Sequence, residues 1–154
     1  MSGKAYRPAK AVRPFMENDR DALRQVYLES RQHTFTWLDP ASLRLSDFDR
    51  DTRGEAIWVA ERDGSLVGFV SVDAEDNFIH NLFVLTRWLG HGVGSQLLAT
   101  ALASVGSPAR LKCVAENTRA ISFYQAKGWK KVGEGVSEDG KYYVLETSED
   151  YQPP

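Results

Sequence analysis

Three glycines stand where a phosphate group could bind: Gly90, Gly92 and Gly94. They follow an apolar run that is typical of a strand, and a helical pattern begins at Val93. At such a junction glycine lets the backbone come close to an anion, and the unpaired N–H groups of the first helical turn point towards it. The segment therefore predicts an anion site, with a simple tight turn as the alternative.

Two nucleotide-binding motifs are absent from this segment, and their absence limits which phosphate-containing ligand it could bind. No lysine follows the glycines, as it would in the phosphate loop of nucleotide hydrolases, and their spacing differs from the dinucleotide fingerprint. A pyrophosphate bound through main-chain amides remains compatible with the segment. Coenzyme A carries such a pyrophosphate.

Asn117, Tyr124 and His80 are the other residues whose types could do chemistry. Asn117 and Tyr124 are seven residues apart, so a helix places them about two turns apart on nearly one face. The alternatives are a helix cap for Asn117 and a core aromatic for Tyr124. His80 lies in the apolar run before the glycines, and imidazole titrates near neutral pH. It could act as a base, or it could be a packed, hydrogen-bonded residue.

These residues need strands and helices to bring them together. Apolar runs predict strands at 11–15, 56–61, 66–73, 78–84, 110–114, 129–134 and 142–146, and helical patterns predict helices at 18–32, 41–45, 93–105 and 118–127. Asn18 or Asp19 can cap the first helix. The strands at 56–73 and 129–146 pair as hairpins. This order predicts an α/β (α+β) fold with a mixed, mostly antiparallel central sheet flanked by helices.

Length and composition predict one domain and limit its partners. The chain has 154 residues, 42% of them apolar, which suffices for one core. We expect a flexible N-terminus over 1–10, the domain over 11–148 and a tail over 149–154. A formal charge of -2 provides no basic stripe for nucleic acid. The single Cys113, and the absence of metal-ligand spacings or apolar runs of about 20 residues, predict a cytoplasmic protein without metal or membrane partners.

The glycine-rich segment resembles the GNAT superfamily of acetyl-CoA-dependent N-acetyltransferases. The family hallmark is a strand, then [Q/R]-x-x-G-x-[G/A], then a helix, and we align it with Leu89-Gly90-His91-Gly92-Val93-Gly94. In that alignment Leu89 occupies the usual Gln or Arg position, and Arg87 lies two residues earlier. A second match, from Glu116 to Trp129, is similar to the family segment N-x-x-[AS]-x-x-[FL]-Y-x-x-x-G-[FW]. The resemblance covers about residues 12–146.

The resemblance implies an N-acetyltransferase domain with acetyl-CoA as its co-substrate and no metal. The implied cofactor-binding residues are Phe83, Val84, Leu89, Gly90, His91, Gly92, Val93, Gly94, Ser95, Asn117 and Tyr124. Main-chain groups of Phe83 and Val84 would pair with the pantetheine arm, and Asn117 would bond the same arm. The Tyr124 hydroxyl would lie near the thioester sulfur and protonate the departing thiolate.

The candidate residues for binding and deprotonating the acceptor amine lie in two segments, 33–37 and 80–81. His80 is the candidate base, with a water relay that includes Asn81 as the alternative. The candidate substrate contacts are His33, Phe35, Trp37 and Asn81, although Phe35 and Trp37 could simply anchor a loop in the core. The implied reaction moves an acetyl group to a primary amine of a small molecule, amino acid or peptide. A non-catalytic acyl-CoA-binding sensor is the alternative, and a homodimer remains open because related enzymes often pair.

Overall fold

The computed structural model of the protein describes residues 10–147, so the predicted tail at 149–154, and the predicted flexible N-terminus at 1–10 apart from Lys10, fall outside it. The strands are β1 (Lys10–Pro14), β2 (Ala56–Arg62), β3 (Ser65–Asp73), β4 (Phe78–Val84), β5 (Arg110–Val114), β6 (Lys130–Ser137) and β7 (Gly140–Glu146). The α-helices are α1 (Arg20–Thr34), α2 (Asp47–Asp51), α3 (Val93–Ser104) and α4 (Thr118–Ala126). Short 3₁₀ turns occur at Glu17–Asp19, Pro40–Ser42 and Thr86–Trp88.

The seven strands form one sheet in the order β1-β2-β3-β4-β5-β7-β6. Every neighbouring pair is antiparallel except β4 and β5, which are parallel. The β4–β5 pairing is short and joins only Phe78 with Arg110 and Ile79 with Leu111. Beyond Ile79 the two strands diverge. The predicted fold class, a mixed and mostly antiparallel sheet flanked by helices, is confirmed.

The core lies on both faces of β3, because α1 and α3 both pack on this strand. On the α1 face, the Phe69 ring contacts the rings of Tyr27 and Phe48 edge-on, with centroid distances of 5.7 and 5.3 Å. Leu97 of α3 is fully buried within the same hydrophobic core. The strand therefore reads as a nearly continuous apolar run rather than an alternating one.

The helix predicted near 41–45 is wrong. Residues 40–42 form a 3₁₀ turn that the Asp39 side chain caps at the Ala41 N–H (3.0 Å), and the helix begins at Asp47. The position is set by tertiary packing, since Phe48 is completely buried whereas Leu45 is 40% exposed.

Ion pairs attach α2 to α1. Asp49 accepts hydrogen bonds from Arg20 and Arg24, at 2.7 and 3.0 Å, and the buried Arg31 lies 3.2 Å from Asp47. The Asp47 and Asp49 carboxylates therefore stabilise the packing of α2 on α1. α1 itself extends to Thr34, two residues further than predicted.

Asp19 does not cap α1 through its side chain as predicted. It occupies the N-cap position, but its carboxylate accepts two hydrogen bonds from the Arg13 guanidinium and one from the Met16 N–H. This arrangement ties β1 to the start of the helix and lowers the pKa of Asp19, chiefly through the Arg13 bonds.

No helix among residues 10–147 is long and apolar enough to span a bilayer. In the same part of the chain, no group of three or more His, Cys, Asp or Glu side chains could hold a metal ion.

Candidate active site

A cleft of about 600 Å³ opens where β4 and β5 diverge. Its walls come from residues 79–84 of β4, residues 111–114 of β5, the loop 88–95 that leads into α3, and one face of α4. The turn between β6 and β7 and the end of α1 contribute further lining residues. Clefts of this size accommodate small molecules and cofactors, and the unpaired main-chain edges of the two strands offer hydrogen bonds to an amide-rich ligand.

The glycine-rich loop forms one end of the cleft. Gly90 and Gly92 have φ values of 80° and 81°, a left-handed conformation that residues with a Cβ rarely adopt. The first N–H groups of α3 have no intrahelical acceptor. Its N-cap residue, Gly92, has no side chain that could accept from them, so they remain available to a ligand. Gly90, Gly92, Gly94 and Ser95 all line the cleft. The arrangement can therefore bind a phosphate group through main-chain donors and the helix dipole.

The alignment that placed Leu89 in the usual Gln or Arg position is wrong. The stretch Arg87-Trp88-Leu89-Gly90-His91-Gly92 matches the six-residue family pattern in full, with Arg87 first. Leu89 lines the cleft. The Arg87 guanidinium lies in the 3₁₀ turn before the loop, 3.6 Å from the Glu29 carboxylate.

The sequence predicts that His91 and Val93 bind the cofactor, but the side chains of these two loop residues do not line the cleft. His91 is exposed and lies edge-on to Trp88, with ring centroids 5.4 Å apart. Val93 is 1% exposed and packs in the core. Neither is among the described residues that line the cleft, so any contribution of Val93 to a ligand would come from its main-chain N–H.

Asn117 and Tyr124 line the cleft together from α4. The Asn117 Oδ1 accepts a hydrogen bond from the Ala120 N–H at 3.2 Å, so this residue caps the helix, while its Nδ2 can still donate. The Tyr124 side chain packs between Phe123 and Trp129 and is 7% exposed. Burial, with a smaller effect of Cys113, raises the pKa of Tyr124 well above its ordinary value. Its hydroxyl is therefore a proton donor at neutral pH.

Cys113 also lines the cleft, on β5. Burial raises the pKa of its thiol to about 12. The thiolate, which is the nucleophilic form, is thus disfavoured at neutral pH. A transfer through an acetyl-cysteine intermediate finds no support in this environment.

His80 lies at an irregularity of β4. Ser71 of β3 pairs with Asn81 and Val72 with Ile79, so His80 is the extra residue of a β-bulge. Its half-exposed imidazole lines the cleft. Burial, followed by the nearby Lys112 ammonium, lowers the pKa of His80. A neutral imidazole at physiological pH is the form that can accept a proton.

The predicted acceptor contacts separate into two groups. Phe35 and Asn81 line the cleft, whereas His33 and Trp37 do not belong to its described lining. His33 lies in the last turn of α1, which extends further than predicted, and is exposed. Trp37 packs on Phe35 with ring centroids 5.2 Å apart and donates from Nε1 to the Asp139 carbonyl oxygen at 3.0 Å. It therefore supports the cleft wall from behind.

Asn81 is largely occupied by the fold. Its Nδ2 donates to the Ser71 hydroxyl at 2.8 Å and to the Asp51 carbonyl oxygen at 3.1 Å, and the residue is 8% exposed. Both hydrogens of the amide are thereby used. Asn81 stabilises β4 against β3 at the bulge, and only its Oδ1 is left for a ligand or a water.

Sequence reasoning missed Asp139, Lys112 and Tyr142, which also line the cleft. Asp139 lies in the turn between β6 and β7, within the hairpin that the sequence predicts over 129–146. Burial, followed by the neighbouring Glu138, raises the pKa of its carboxyl group. The Lys112 ammonium lies 4.9 Å from the centre of the Tyr142 ring. No local motif marks these residues, because the pairing of β5 with β7 brings Lys112 and Tyr142 to the cleft, and Asp139 lies in the turn before β7.

Comparisons with known proteins agree with this arrangement. A model of the acetyltransferase (GNAT) family matches residues 21–129. The peptidyl-lysine N-acetyltransferase YiaC of Escherichia coli is 29% identical over 124 residues, covering 77% of this chain and 82% of that protein. An uncharacterized N-acetyltransferase of Archaeoglobus fulgidus is 32% identical over 143 residues, covering 82% of this chain and 88% of that protein. The PaiA N-acetyltransferase of Thermoplasma acidophilum, solved with coenzyme A, shares the fold, with a TM-score of 0.72 at 17% identity over 90% of this chain and 98% of that one.

Proposed function

Because the chain belongs to the acetyltransferase (GNAT) family, we propose that it moves an acetyl group from acetyl-CoA directly to a primary amine of a small molecule, amino acid or peptide. Family membership establishes the acyltransferase activity and acetyl-CoA as the co-substrate. The acceptor and the roles of single residues belong to the proposal. The observation that supports this proposal is the cleft between the diverging strands β4 and β5, which is lined by both the glycine-rich loop and the buried Tyr124.

The cofactor would lie along this divergence. Its pyrophosphate would bind the N–H groups at the start of α3, and its pantetheine arm would extend between the strands, bonding main-chain groups of Phe83 and Val84 and the Asn117 side chain. This orientation would bring the thioester to Tyr124. All of the cofactor-binding residues predicted from the sequence, except His91 and Val93, line one cleft. This supports a single continuous binding mode.

The reaction forms one C–N bond and breaks one C–S bond. The neutral amine would attack the thioester carbonyl carbon, and a main-chain N–H of Phe83 or Val84 would stabilise the oxyanion. The amine nitrogen would lose a proton to His80, and the departing thiolate would gain one from Tyr124. His80 would then release its proton to water, and Tyr124 would regain one from water. Proton transfers of this kind typically contribute about 10² to 10⁴-fold each. No covalent enzyme intermediate is needed.

The acceptor would enter from the side of Phe35, Asp139 and Tyr142. An amine is a cation in water, and the Asp139 carboxylate on the cleft wall would attract it before the proton is removed. The similar protein YiaC is a peptidyl-lysine N-acetyltransferase, whose acceptor is also a primary amine. An amine that carries a positive charge in solution is therefore the substrate class we favour.

The proposal extends to the organisation of the chain. We assign one acetyltransferase domain to residues 11–148 and retain the homodimer as a proposal, to be measured by sedimentation. The single Cys113 suits a reducing, cytoplasmic compartment.

The test combines binding with turnover. Titration calorimetry with acetyl-CoA should show binding at one site, and thiol release should depend on an added amine from a panel of small amines, amino acids and lysine peptides. Absence of acetyl-CoA binding would overturn the proposal. Binding without thiol release on any amine would favour the acyl-CoA sensor instead.

A further inference from the structure

We infer that Glu55 is a positioning residue that holds the imidazole of His80 with its Nε2 available to the acceptor amine, and that Lys112 acts on the same imidazole with the opposite charge. The inference rests on the proposed acetyl transfer and goes beyond it, because the family resemblance singles out neither Glu55 nor Lys112.

Glu55 is a buried carboxylate that contacts the His80 imidazole. It lies just before β2, where its N–H bonds the Thr52 carbonyl oxygen at 3.1 Å, and its side chain is only 6% exposed. Its Oε2 contacts Nδ1 of His80. Among the described residues, its Oε1 is buried and has no hydrogen-bond partner. A buried carboxylate is costly unless it is paired, so the imidazole is the contact that compensates this burial.

The β-bulge explains how His80 reaches Glu55. As the extra residue of β4, His80 is outside the regular alternation of the strand, and bulges of this kind re-aim a side chain. The Phe78 ring lies edge-on to the imidazole, with centroids 4.8 Å apart, and limits its rotation. The imidazole thus has one nitrogen on a buried carboxylate and lines the cleft with the rest of its ring.

The contact selects one tautomer of the neutral imidazole. A carboxylate only accepts hydrogen bonds, so Nδ1 must carry the hydrogen and Nε2 must carry the lone pair. The lone pair is the site that can take a proton from the acceptor nitrogen, which attacks as the neutral amine. The proton then resides on an imidazolium whose Nδ1–H faces the Glu55 carboxylate, and it leaves to water before the next cycle. The same division of labour between a carboxylate and an imidazole operates in hydrolytic triads.

Two charged groups act on the imidazole from two elements. Glu55 approaches from the start of β2, and Lys112 from β5 across the cleft. The strand paired with the bulge contributes Ser71 and Val72, which carry no charge. The carboxylate favours the imidazolium, whereas the ammonium disfavours it. Removal of either charge should therefore shift the titration of His80, and the two shifts should have opposite signs.

The first experiment reads the tautomer in the unaltered protein by ¹⁵N-edited NMR of the imidazole nitrogens. The chain has three histidines, and the variant H80Q identifies the signals of His80. We expect the hydrogen on Nδ1 of the neutral ring. A hydrogen found mainly on Nε2 would overturn the inference, and this measurement requires no catalytic turnover.

The second experiment follows the His80 titration in variants. E55Q should lower the His80 pKa because it removes a negative charge beside the imidazole, and K112M should raise it because it removes a positive one. The acidic limb of kcat/KM should move in the same direction, and E55Q should reduce kcat by roughly 10- to 100-fold, a part of what a base contributes. The conservative variant E55D should restore part of the shift.

Matched controls separate charge from fold. Glu75 and Lys130 are exposed, so E75Q and K130M remove the same charges away from the cleft and should leave the His80 titration unchanged. A His80 pKa that is unchanged or raised in E55Q, or that shifts by the same amount in E75Q, would overturn the role of Glu55. If no amine supports thiol release, the proposed acetyl transfer fails on its own, because the titration is measured without a substrate.

Discussion

At the residue scale, the protonation states at the cleft follow from burial. Burial raises the pKa of both the Tyr124 phenol and the Cys113 thiol, so both groups remain protonated at neutral pH. A neutral phenol is a competent acid for a thiolate, whereas a neutral thiol is a poor nucleophile. Two neighbouring groups that are shifted in the same direction thus have opposite consequences: one can serve the reaction and the other is kept out of it.

We expect Y124F to reduce kcat by about 10² to 10⁴-fold, because the variant loses a positioned proton donor. The affinity for acetyl-CoA should change little, since the ring that packs between Phe123 and Trp129 is retained. Thiol-release kinetics and calorimetry measure the two quantities. Y143F is the matched control, because Tyr143 also lies on β7 but is not among the described residues that line the cleft. Full activity of Y124F would remove the acid role.

We expect D139N to raise KM for a cationic amine while binding acetyl-CoA as before. Since the pKa of Asp139 is raised, its carboxylate is protonated earlier as the pH falls, and amine binding should weaken at acid pH in the wild type but not in D139N. A carboxylate with a raised pKa also opposes folding at neutral pH, so D139N should melt slightly higher. E75Q, which removes an exposed carboxylate away from the cleft, is the control. Equal KM increases in both variants would contradict a specific role of Asp139.

How far the residues could be predicted depends on whether a local pattern marks them. The glycines, Asn117 and Tyr124 belong to contiguous segments whose spacing is visible in the sequence, and they line the cleft. Glu55 meets His80 only because β2 and a bulge in β4 bring them together, although 25 positions separate them in the sequence. Long-range contacts of this kind have no signature in a single sequence.

At the element scale, one helix start and one pair of strands position the chemistry. The left-handed Gly92 ends the loop and leaves the first amides of α3 unpaired. Most strands and the longer helices could be predicted because their apolar periodicity is intrinsic. The short α2 could not, since Phe48 and the ion pairs with α1 fix its position.

We expect G92A to weaken acetyl-CoA binding and to destabilise the fold. A Cβ at Gly92 meets no atom within 4 Å, so the cost comes from the φ of 81° and amounts to about 1 to 2 kcal/mol. G54A is the matched control: Gly54 has a φ of 75°, also has open space at its Cβ, and lies in the turn before β2. Chemical denaturation should show similar losses for both variants, and calorimetry should show weaker binding only for G92A. Unchanged binding in G92A would argue against the anion site.

At the scale of the whole molecule, the sheet consists of two parts that are joined by two residue pairs between β4 and β5. β1 to β4 form one part, and β5, β7 and β6 form the other. A cofactor lying along the divergence would bond both parts. It would therefore add stability where neighbouring strands of the described sheet share the fewest residue pairs.

We expect acetyl-CoA at about 100 times its Kd to stabilise the fold by about 2.7 kcal/mol. For a domain of this size the melting temperature should rise by roughly 5 to 10 °C. Differential scanning calorimetry measures the shift, and hydrogen exchange should slow most in residues 80–84 and 111–114. ATP, which shares the adenine and phosphates but lacks the pantetheine arm, is the control ligand. An equal shift with ATP would contradict binding along the strands.

The divergence of β4 and β5 also affects what happens after the reaction. The groups that would bind between the strands and at the glycine-rich loop are the pantetheine arm and the pyrophosphate, and neither changes when the acetyl group leaves. Free CoA should then occupy the cleft about as tightly as acetyl-CoA and compete with it. The rate of such an enzyme follows the ratio of acetylated to free coenzyme rather than the amount of acetyl-CoA alone, so its output would report the acetylation state of the coenzyme pool.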